Sequence, residues 1–348
     1  MTRAHRRREA PLAKIPIQTP TPTRLRVSDS GDLLALVPYL LGFHPNESVV
    51  TVFIRSGRVL LTARVDLPPP GHADEVVAEL QRVAGQHQVA EVLVIVYSAD
   101  PSFGRAVLDQ MVARLVDVPL SAALFVDGDR WFSTLCGPPC CPVEGRPYEV
   151  ETHRLAAEAV YAGLAVRGDR AELEFLVTGP APEAAERLAR LAAALAPDLE
   201  GLTGQQAARL VESTVHAVVL EGSQLDEAAR LRLALLVSDL QRRDLAWASI
   251  TRDNARAQVQ LWADVVAVAP APLASAPLCL LGLAAWVNGD GALQNCCAAR
   301  IEREDPDYSL GGLLAEISAR ALPPTVWDDL VADLRAELGL LPGWKDDH

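Results

Sequence analysis

The hydrophobic pattern of this chain changes character near residue 150, and the change restricts the folds that the chain can adopt. Before that point, short apolar runs alternate with amphipathic stripes in the order helix, two strands, helix, strand, helix, two strands. After it, the sequence is rich in Ala, Leu, Arg and Glu and keeps a helical period. We therefore predict an α/β N-terminal domain, with a mixed sheet, hairpins and crossover helices, followed by an α-helical C-terminal region.

The same pattern divides the chain into four segments. Residues 1–27 are basic and rich in Pro and Thr, which predicts a disordered arm that either tethers the protein to an acidic surface or has no role. Residues 28–150 form the predicted α/β domain, and residues 151–269 form the helical region. Residues 270–348 are predicted to be a Pro-rich hinge followed by a helical-hairpin unit.

The last segment resembles a tetratricopeptide-type helical hairpin. An apolar helix ends at Trp286 and the turn 288–291, an Ala-rich helix follows, and Asp305-Pro-Asp-Tyr308 starts a third helix. About one and a half such units are visible, whereas an independently stable array needs roughly three. The unit is therefore expected to dock on the preceding helices, unless it is an ordinary helical pair that imitates the pattern.

Single residues predict several boundaries in the N-terminal domain. Residues 28–30 offer three N-caps for the first helix, which contains Pro38 and is expected to end at Gly42. Asp100 precedes Pro101 after a buried strand and is expected to cap another helix. These signals depend on neighbouring residues alone, so they are independent of the fold.

Composition excludes some classes of function. The formal net charge is -13 and the pI is about 5.0, which argues against general nucleic-acid binding, since that needs a basic face. The arginines near the start are followed by prolines instead of an apolar run, and the apolar stretch Leu33 to Leu41 is too short to span a bilayer. We therefore predict a cytoplasmic protein without nucleic-acid or membrane partners, whose six cysteines are thiols.

Several motifs of catalysis are absent from the sequence. The two lysines, Lys14 and Lys345, lie outside any Gly-rich loop, so there is no P-loop, and Gly289-Asp-Gly291 lacks the third glycine of a dinucleotide fingerprint. Neither H-E-x-x-H nor G-x-S-x-G occurs. These gaps argue against the commonest nucleotide, zinc-protease and α/β-hydrolase sites, though not against catalysis in general.

Cys136, Cys140 and Cys141 stand in a loop rich in Gly and Pro. Thiolates at this spacing can converge on a metal ion such as zinc, with His153 as the nearest further donor, or they can form a redox-active pair. Against a metal site, the side chains of adjacent cysteines are expected to diverge, and no second C-x2–4-C motif exists. Buried structural thiols are the third interpretation.

A second group of candidate residues surrounds the loop between the first helix and the first strand. His44 is a potential base or ligand, and Ser48 is a potential nucleophile if His44 reaches it. Arg64 and Asp66, two apart on a strand, share one face. Together with Asp32 these residues are predicted to converge on one ligand pocket. The alternative is a structural turn at His44 beside a cross-strand ion pair.

Asp100 is the last candidate. It stands where a buried strand passes into a helix, at a sheet edge that often binds ligands, and the free N–H groups of a helix start suit an anion. Capping of the helix by Asp100 explains this residue equally.

Four segments together resemble a known family: residues 32–50, Arg64-Val-Asp66-Leu-Pro68, the cysteine loop through Gly145, and the stretch from Gly289 to Ser309. The chain is similar to the uncharacterised actinobacterial family known as domain of unknown function 4192. The resemblance covers nearly all of the chain after the basic arm. It implies an actinobacterial cytoplasmic protein and supplies no activity, cofactor or catalytic residue.

Two functions remain open from the sequence. One is a non-enzymatic binding or scaffold protein whose helical half contacts a protein partner, with Trp247, Trp262 and Trp286 lining a groove or packing in the core. The other is an enzyme or small-ligand binder whose site is built around the His44 loop of the α/β half.

Overall fold

A computed structural model describes residues 25–69, 71–162, 164, 166 and 170–337. Its N-terminal half contains a six-stranded mixed sheet and three helices, and the rest is mostly helical, as the pattern predicts. The elements of the first half are α1 (Ser30–Leu41), β1 (Ser48–Arg55), β2 (Arg58–Asp66), α2 (Ala73–Gln86), β3 (Glu91–Tyr97), α3 (Pro101–Arg114), β4 (Leu120–Asp127), β5 (Arg130–Ser133) and β6 (Arg146–Pro147).

The second half contains eleven α-helices among the described residues, joined by short connections. They are α4 (Arg154–Tyr161), α5 (Arg170–Val177), α6 (Pro182–Glu200), α7 (Gly204–Val219), α8 (Glu227–Val237), α9 (Leu240–Ala248), α10 (Ala255–Val266), α11 (Ser275–Val287), α12 (Gly291–Glu304), α13 (Ser309–Ala319) and α14 (Trp327–Glu337). Short 3₁₀ turns at Ala271–Leu273 and Pro324–Val326 precede α11 and α14.

The strand order is β2-β1-β3-β4-β5-β6. Strand β1 pairs antiparallel with both β2 and β3, and β4 pairs antiparallel with β5. Strands β3 and β4 are parallel, and α3 is the crossover between them. The two predicted hairpins and the crossover helix are therefore present, because each turn signal lies between two runs of strand-forming residues.

Each face of the sheet has its own apolar core. On one face, Phe53, Val94 and Phe125 pack with residues of α2 and α3. On the other, Val52 and Ile95 belong to a larger cluster that also contains α1 and most of the helical region. The helical half thus shares a core with the sheet, because the alternation of side chains along β1 and β3 sends apolar groups to both faces.

Helix α11 lies at the centre of the larger core. Every residue from Ala276 to Val287 is buried, as expected for a helix that is apolar on all sides. Helices α10 and α12 pack directly against it. The Pro-rich segment before α11 contains the 3₁₀ turn Ala271–Leu273 and buried Ala274. The α11–α12 hairpin is therefore docked on the preceding helices, as predicted.

The first helix begins and ends where the sequence predicts. Asp29 is the N-cap, and its carboxylate accepts a hydrogen bond from the backbone N–H of Asp32 at 2.9 Å. Gly42 ends the helix in the left-handed conformation (φ 81°). A Cβ at Gly42 would lie 3.5 Å from Asp290 Oδ1, so the loop that starts here abuts the turn between α11 and α12.

The predicted basic arm lies outside the described residues except for 25–27. Across the described ranges, no helix has both the length and the apolar character needed to cross a bilayer.

Gly104 allows α3 to approach the sheet closely. A Cβ there would lie 2.5 Å from the Phe125 ring and 2.9 Å from the Ser98 Cβ. We expect Gly104→Ala to lower the free energy of unfolding by about 1–3 kcal/mol, because the buried ring has to move. Urea denaturation measures the change. Gly85→Ala in α2 is the matched control: nothing lies within 4 Å of its Cβ, so it should be neutral or stabilising by up to about 1 kcal/mol. Equal stability of the two variants would contradict close packing at Gly104.

Candidate functional site

A cavity of about 880 Å³ opens at the β4–β6 end of the sheet. Strands β4 and β5 contribute Leu124 and Trp131, whose side chains belong to the larger core. The loop after β5, the segment 146–149 and the starts of α1 and α4 complete the lining. We call this cavity the sheet-edge pocket. Since these six parts of the chain meet here, the fold alone brings the lining residues together.

The pocket combines an aromatic surface with a cation. The Arg146 guanidinium carbon lies 5.9 Å from the centroid of the Trp131 ring, within cation–π range. The same guanidinium donates a hydrogen bond to the carbonyl oxygen of Cys140. Arg146 thus contacts both the Trp131 ring, which we call the base of the pocket, and the cysteine loop, which we call its wall.

Tyr148 lines the pocket, and the buried Tyr97 is close enough to interact electrostatically with it. Burial, together with the smaller effect of the nearby Glu151 carboxylate, raises the pKa of Tyr148 to about 12. Burial raises the pKa of Tyr97 well above its usual value of about 10, and Tyr148 adds to this shift. The Tyr97 hydroxyl has no hydrogen-bond partner among the described residues. Both phenols are therefore held neutral.

The carboxylate of Asp32 contacts His153, which lines the pocket, and the backbone of Ser28. Its Oδ2 accepts a hydrogen bond from the Ser28 N–H at 2.8 Å, and its Oδ1 lies 3.5 Å from His153 Nε2. Nδ1 of His153 accepts a hydrogen bond from the Leu155 N–H at 3.2 Å, so in the neutral ring the proton is on Nε2, facing Asp32. Both ring nitrogens of His153 are engaged, which leaves no free nitrogen for a metal ion.

The three cysteines of the loop converge. The sulfur atoms of Cys136, Cys140 and Cys141 all lie within 4.8 Å of one another, and all three residues line the sheet-edge pocket. The expectation that the adjacent side chains diverge is wrong, because the Cys141 N–H bonds to the Gly137 carbonyl at 3.0 Å and folds the loop back on itself. The interpretation as buried structural thiols is also wrong here, since Cys140 is exposed and the other two are half-buried.

The remaining candidates around the His44 loop lie outside the lining of this pocket. Ser48 is 0% exposed, and among the described residues its hydroxyl has no hydrogen-bond partner. His44, which is half-buried, is therefore not bonded to Ser48. The nucleophile–base pair that the sequence suggests is not formed in this structure.

Arg64 instead holds the His44 loop on the sheet. Its guanidinium pairs with Asp66 at 2.5 Å, donates to the Asn46 carbonyl at 3.3 Å and lies 6.0 Å from the Phe43 ring centroid. The side chain of Asp66 is 83% exposed. Of the five residues predicted to converge, Arg64 and Asp66 meet each other beside the loop of His44, whereas Asp32 pairs with His153.

Asp100 is the N-cap of α3. Its carboxylate accepts hydrogen bonds from the N–H groups of Ser102 and Phe103, at 3.0 and 3.1 Å. Glu47 accepts from the Ala99 N–H at 2.6 Å and from the Ser98 hydroxyl at 3.0 Å. Carboxylates of the chain itself therefore occupy the positions that an anionic ligand would take at this helix start.

The comparison with known families adds one positive result. The family described as Domain of unknown function (DUF4192) matches residues 31–325. The chain belongs to this family. The match includes the N-terminal loop of His44, the cysteine loop and the α11–α12 hairpin, which are segments that carry the resemblance in the sequence. No curated protein and no solved structure matches the chain significantly.

Sequence reasoning missed most of the sheet-edge pocket. Trp131, Arg146 and Tyr148 stand in segments without a chemical motif, and only the fold shows that they meet the starts of α1 and α4. One signal was present: three cysteines next to a short strand, with His153 twelve residues after the last of them, Cys141. That signal identifies the wall of the pocket but not its base.

Proposed function

We propose that the protein binds a small organic anion in the sheet-edge pocket. The observation that carries this proposal is the cavity of about 880 Å³ with an aromatic base at Trp131 and the Arg146 guanidinium above it. Ligand pockets in proteins have this size and this combination of apolar lining with few polar groups. This site belongs to the α/β half, but its lining differs from the group around His44.

The charges around the pocket favour an anion. Arg146 and Arg154 both line it, and the first turns of α1 and α4 open on it, with the positive ends of the two helix dipoles. The two acidic residues in the lining have partners within the chain. Asp29 caps α1, and Glu149 accepts a hydrogen bond from the Thr152 hydroxyl at 3.0 Å.

A substitution that fills the cavity tests this proposal. Aromatic carboxylate fragments are titrated into the protein and followed by ligand-detected NMR. We expect Ser133→Trp, whose side chain starts in the lining, to weaken binding by at least about tenfold (about 1.4 kcal/mol) without loss of folding. Ser102→Trp, on the exposed start of α3, is the matched control and should bind like the unmodified protein. Fragments that bind Ser133→Trp equally well, or bind neither protein, would refute the proposal.

A protein partner of the helical half is the second candidate. The three tryptophans do not supply its groove, because Trp262 and Trp286 are buried in the larger core and the half-buried Trp247 packs against it. Support comes instead from large exposed apolar side chains on α4 and α5, namely Tyr161 at 80% and Phe175 at 79% exposure. A pull-down with a Tyr161→Ser, Phe175→Ser double variant as control tests this. A partner retained equally by the variant would argue against these helices as its contact.

We also propose that the protein is located in the cytoplasm of an actinobacterium and has no nucleic-acid partner. None of the six cysteines, all of which the structure describes, forms a disulfide, as is usual in reducing compartments. The 32 basic residues include only two lysines, a bias typical of genomes with high GC content. The net charge of -13 disfavours binding to a polyanion.

A further inference from the structure

We infer that Cys136, Cys140 and Cys141 bind one zinc ion as three thiolates, with the fourth coordination position open to the sheet-edge pocket. The inference begins with the sulfur atoms, which lie within 4.8 Å of one another. A tetrahedral zinc ion with Zn–S bonds of about 2.3 Å holds its sulfurs about 3.8 Å apart. The three side chains therefore reach this geometry by moving about 1 Å or less.

The loop that carries the cysteines is hydrogen-bonded to the sheet on both sides of them. Before the cysteines, the Thr134 N–H donates to the Ala123 carbonyl at 3.0 Å. Arg130 on β5 donates to the carbonyls of Glu144 and Gly145, both at 2.8 Å. The Gly145 N–H bonds to the Pro142 carbonyl at 3.0 Å. With the turn between Gly137 and Cys141, these bonds hold the backbone in place, so binding does not require the loop to be ordered first.

The number of sulfurs favours a metal ion over a disulfide. A disulfide joins two of the three cysteines and leaves one thiol, whereas a thiophilic cation uses all of them. The other three cysteines lie on α11 and α12 and are buried in the larger core: Cys279, Cys296 and Cys297. Burial raises the pKa of each, so these thiols stay protonated and unreactive.

The fourth position has no protein ligand among the neighbours that the structure describes. His153 already uses both ring nitrogens, on Leu155 and Asp32. Three protein ligands and one open position are typical of reactive zinc sites, whereas structural sites are closed by four. Three thiolates and Zn²⁺ carry one excess negative charge, and the Arg146 guanidinium bound to the Cys140 carbonyl places a positive charge beside them.

Zinc binding does not require the organic anion that we propose for the pocket, so the two proposals can fail separately. The first measurement is the zinc content of the full chain, purified without a metal-binding tag and determined by mass spectrometry of the metal. We expect about one zinc per chain, and less than about 0.1 for Cys136→Ser, Cys140→Ser or Cys141→Ser. Cys296→Ala is the matched control, because it removes a buried thiol outside the loop and should keep about one zinc. A zinc content unchanged by the serine variants would overturn the inference.

The second measurement uses the unmodified protein, so it does not depend on the folding of variants. Native protein is alkylated with iodoacetamide, with and without prior treatment by a zinc chelator, and the labelled peptides are identified. We expect the three loop cysteines to be protected before chelation and labelled after it, while the three buried cysteines stay unlabelled in both samples. Equal labelling of the loop cysteines with and without the chelator would contradict a zinc site. So would a mass lower by two hydrogens, which would show a disulfide in the loop.

Discussion

Trp327→Ala should lower the free energy of unfolding by about 3–5 kcal/mol, the range for removing a large buried aromatic side chain. Trp327 is 1% exposed at the start of α14 and donates a hydrogen bond from Nε1 to the Ile250 carbonyl at 3.1 Å. Its ring stacks on Trp247 at 6.0 Å and meets Trp286 edge-on at 5.9 Å. The substitution therefore removes ring contacts to two helices and leaves a buried carbonyl without its donor.

Urea denaturation followed by far-UV circular dichroism measures this effect. Phe175→Ala is the control, since it also truncates an aromatic side chain, but one that is 79% exposed; its effect should stay within about 0.5 kcal/mol. Trp327 lies two residues beyond the part of the chain that the family match covers. If both variants were equally stable, α14 would not belong to the cooperative core.

Alkaline pH should lower the free energy of unfolding from about pH 10 upward, and Tyr148→Phe should remove part of this loss of stability. A raised pKa means that the folded state favours the neutral phenol over the phenolate. The stabilisation is present in full below the unfolded pKa of about 10 and is lost as pH rises through the folded value, about 12 for Tyr148. For Tyr148, a shift of about two pKa units corresponds to a loss of roughly 2–3 kcal/mol of stability once the pH exceeds both values.

Urea midpoints measured between about pH 8 and 11 test this expectation. Cys279 also contributes to the alkaline loss of stability in this window, because burial raises its pKa from about 9 in the unfolded chain to about 12. The informative quantity is therefore the difference in stability between the unmodified protein and Tyr148→Phe. Tyr161→Phe serves as the control, because this tyrosine is 80% exposed and its removal should leave the pH dependence unchanged. If Tyr148→Phe lost as much stability at alkaline pH as the unmodified protein, the Tyr148 hydroxyl would be solvated in the folded state and not buried.

The sequence predicted those features that depend on neighbouring residues. Asp29, Gly42 and Asp100 end or begin helices as expected, because a cap needs only a short polar side chain or a residue that accepts positive φ. The ion pair of Arg64 with Asp66 lies on one face of β2 because side chains alternate along a strand. The change from α/β to helical structure near residue 150 follows from hydrophobic periodicity in the same way.

The sequence did not predict contacts between distant segments. The partner of Asp32 is His153, about 120 residues away, because α1 and α4 pack together in a small separate cluster of Leu36, Leu155 and Ala159. The base of the pocket comes from β4 and β5, whose residues carry no catalytic motif. The convergence of Cys140 and Cys141 was missed because it depends on a backbone turn, whereas the sequence shows only that the two residues are adjacent.

The central claim is that the wall of the sheet-edge pocket is a three-thiolate metal site with one open position. X-ray absorption spectroscopy at the zinc edge, on the full chain purified with its metal, tests this claim most directly. We expect three sulfur neighbours at about 2.3 Å and one lighter neighbour, oxygen or nitrogen, at about 2.0–2.2 Å. A shell of four sulfurs, a shell with fewer than three, or a chain that binds no zinc would contradict the account.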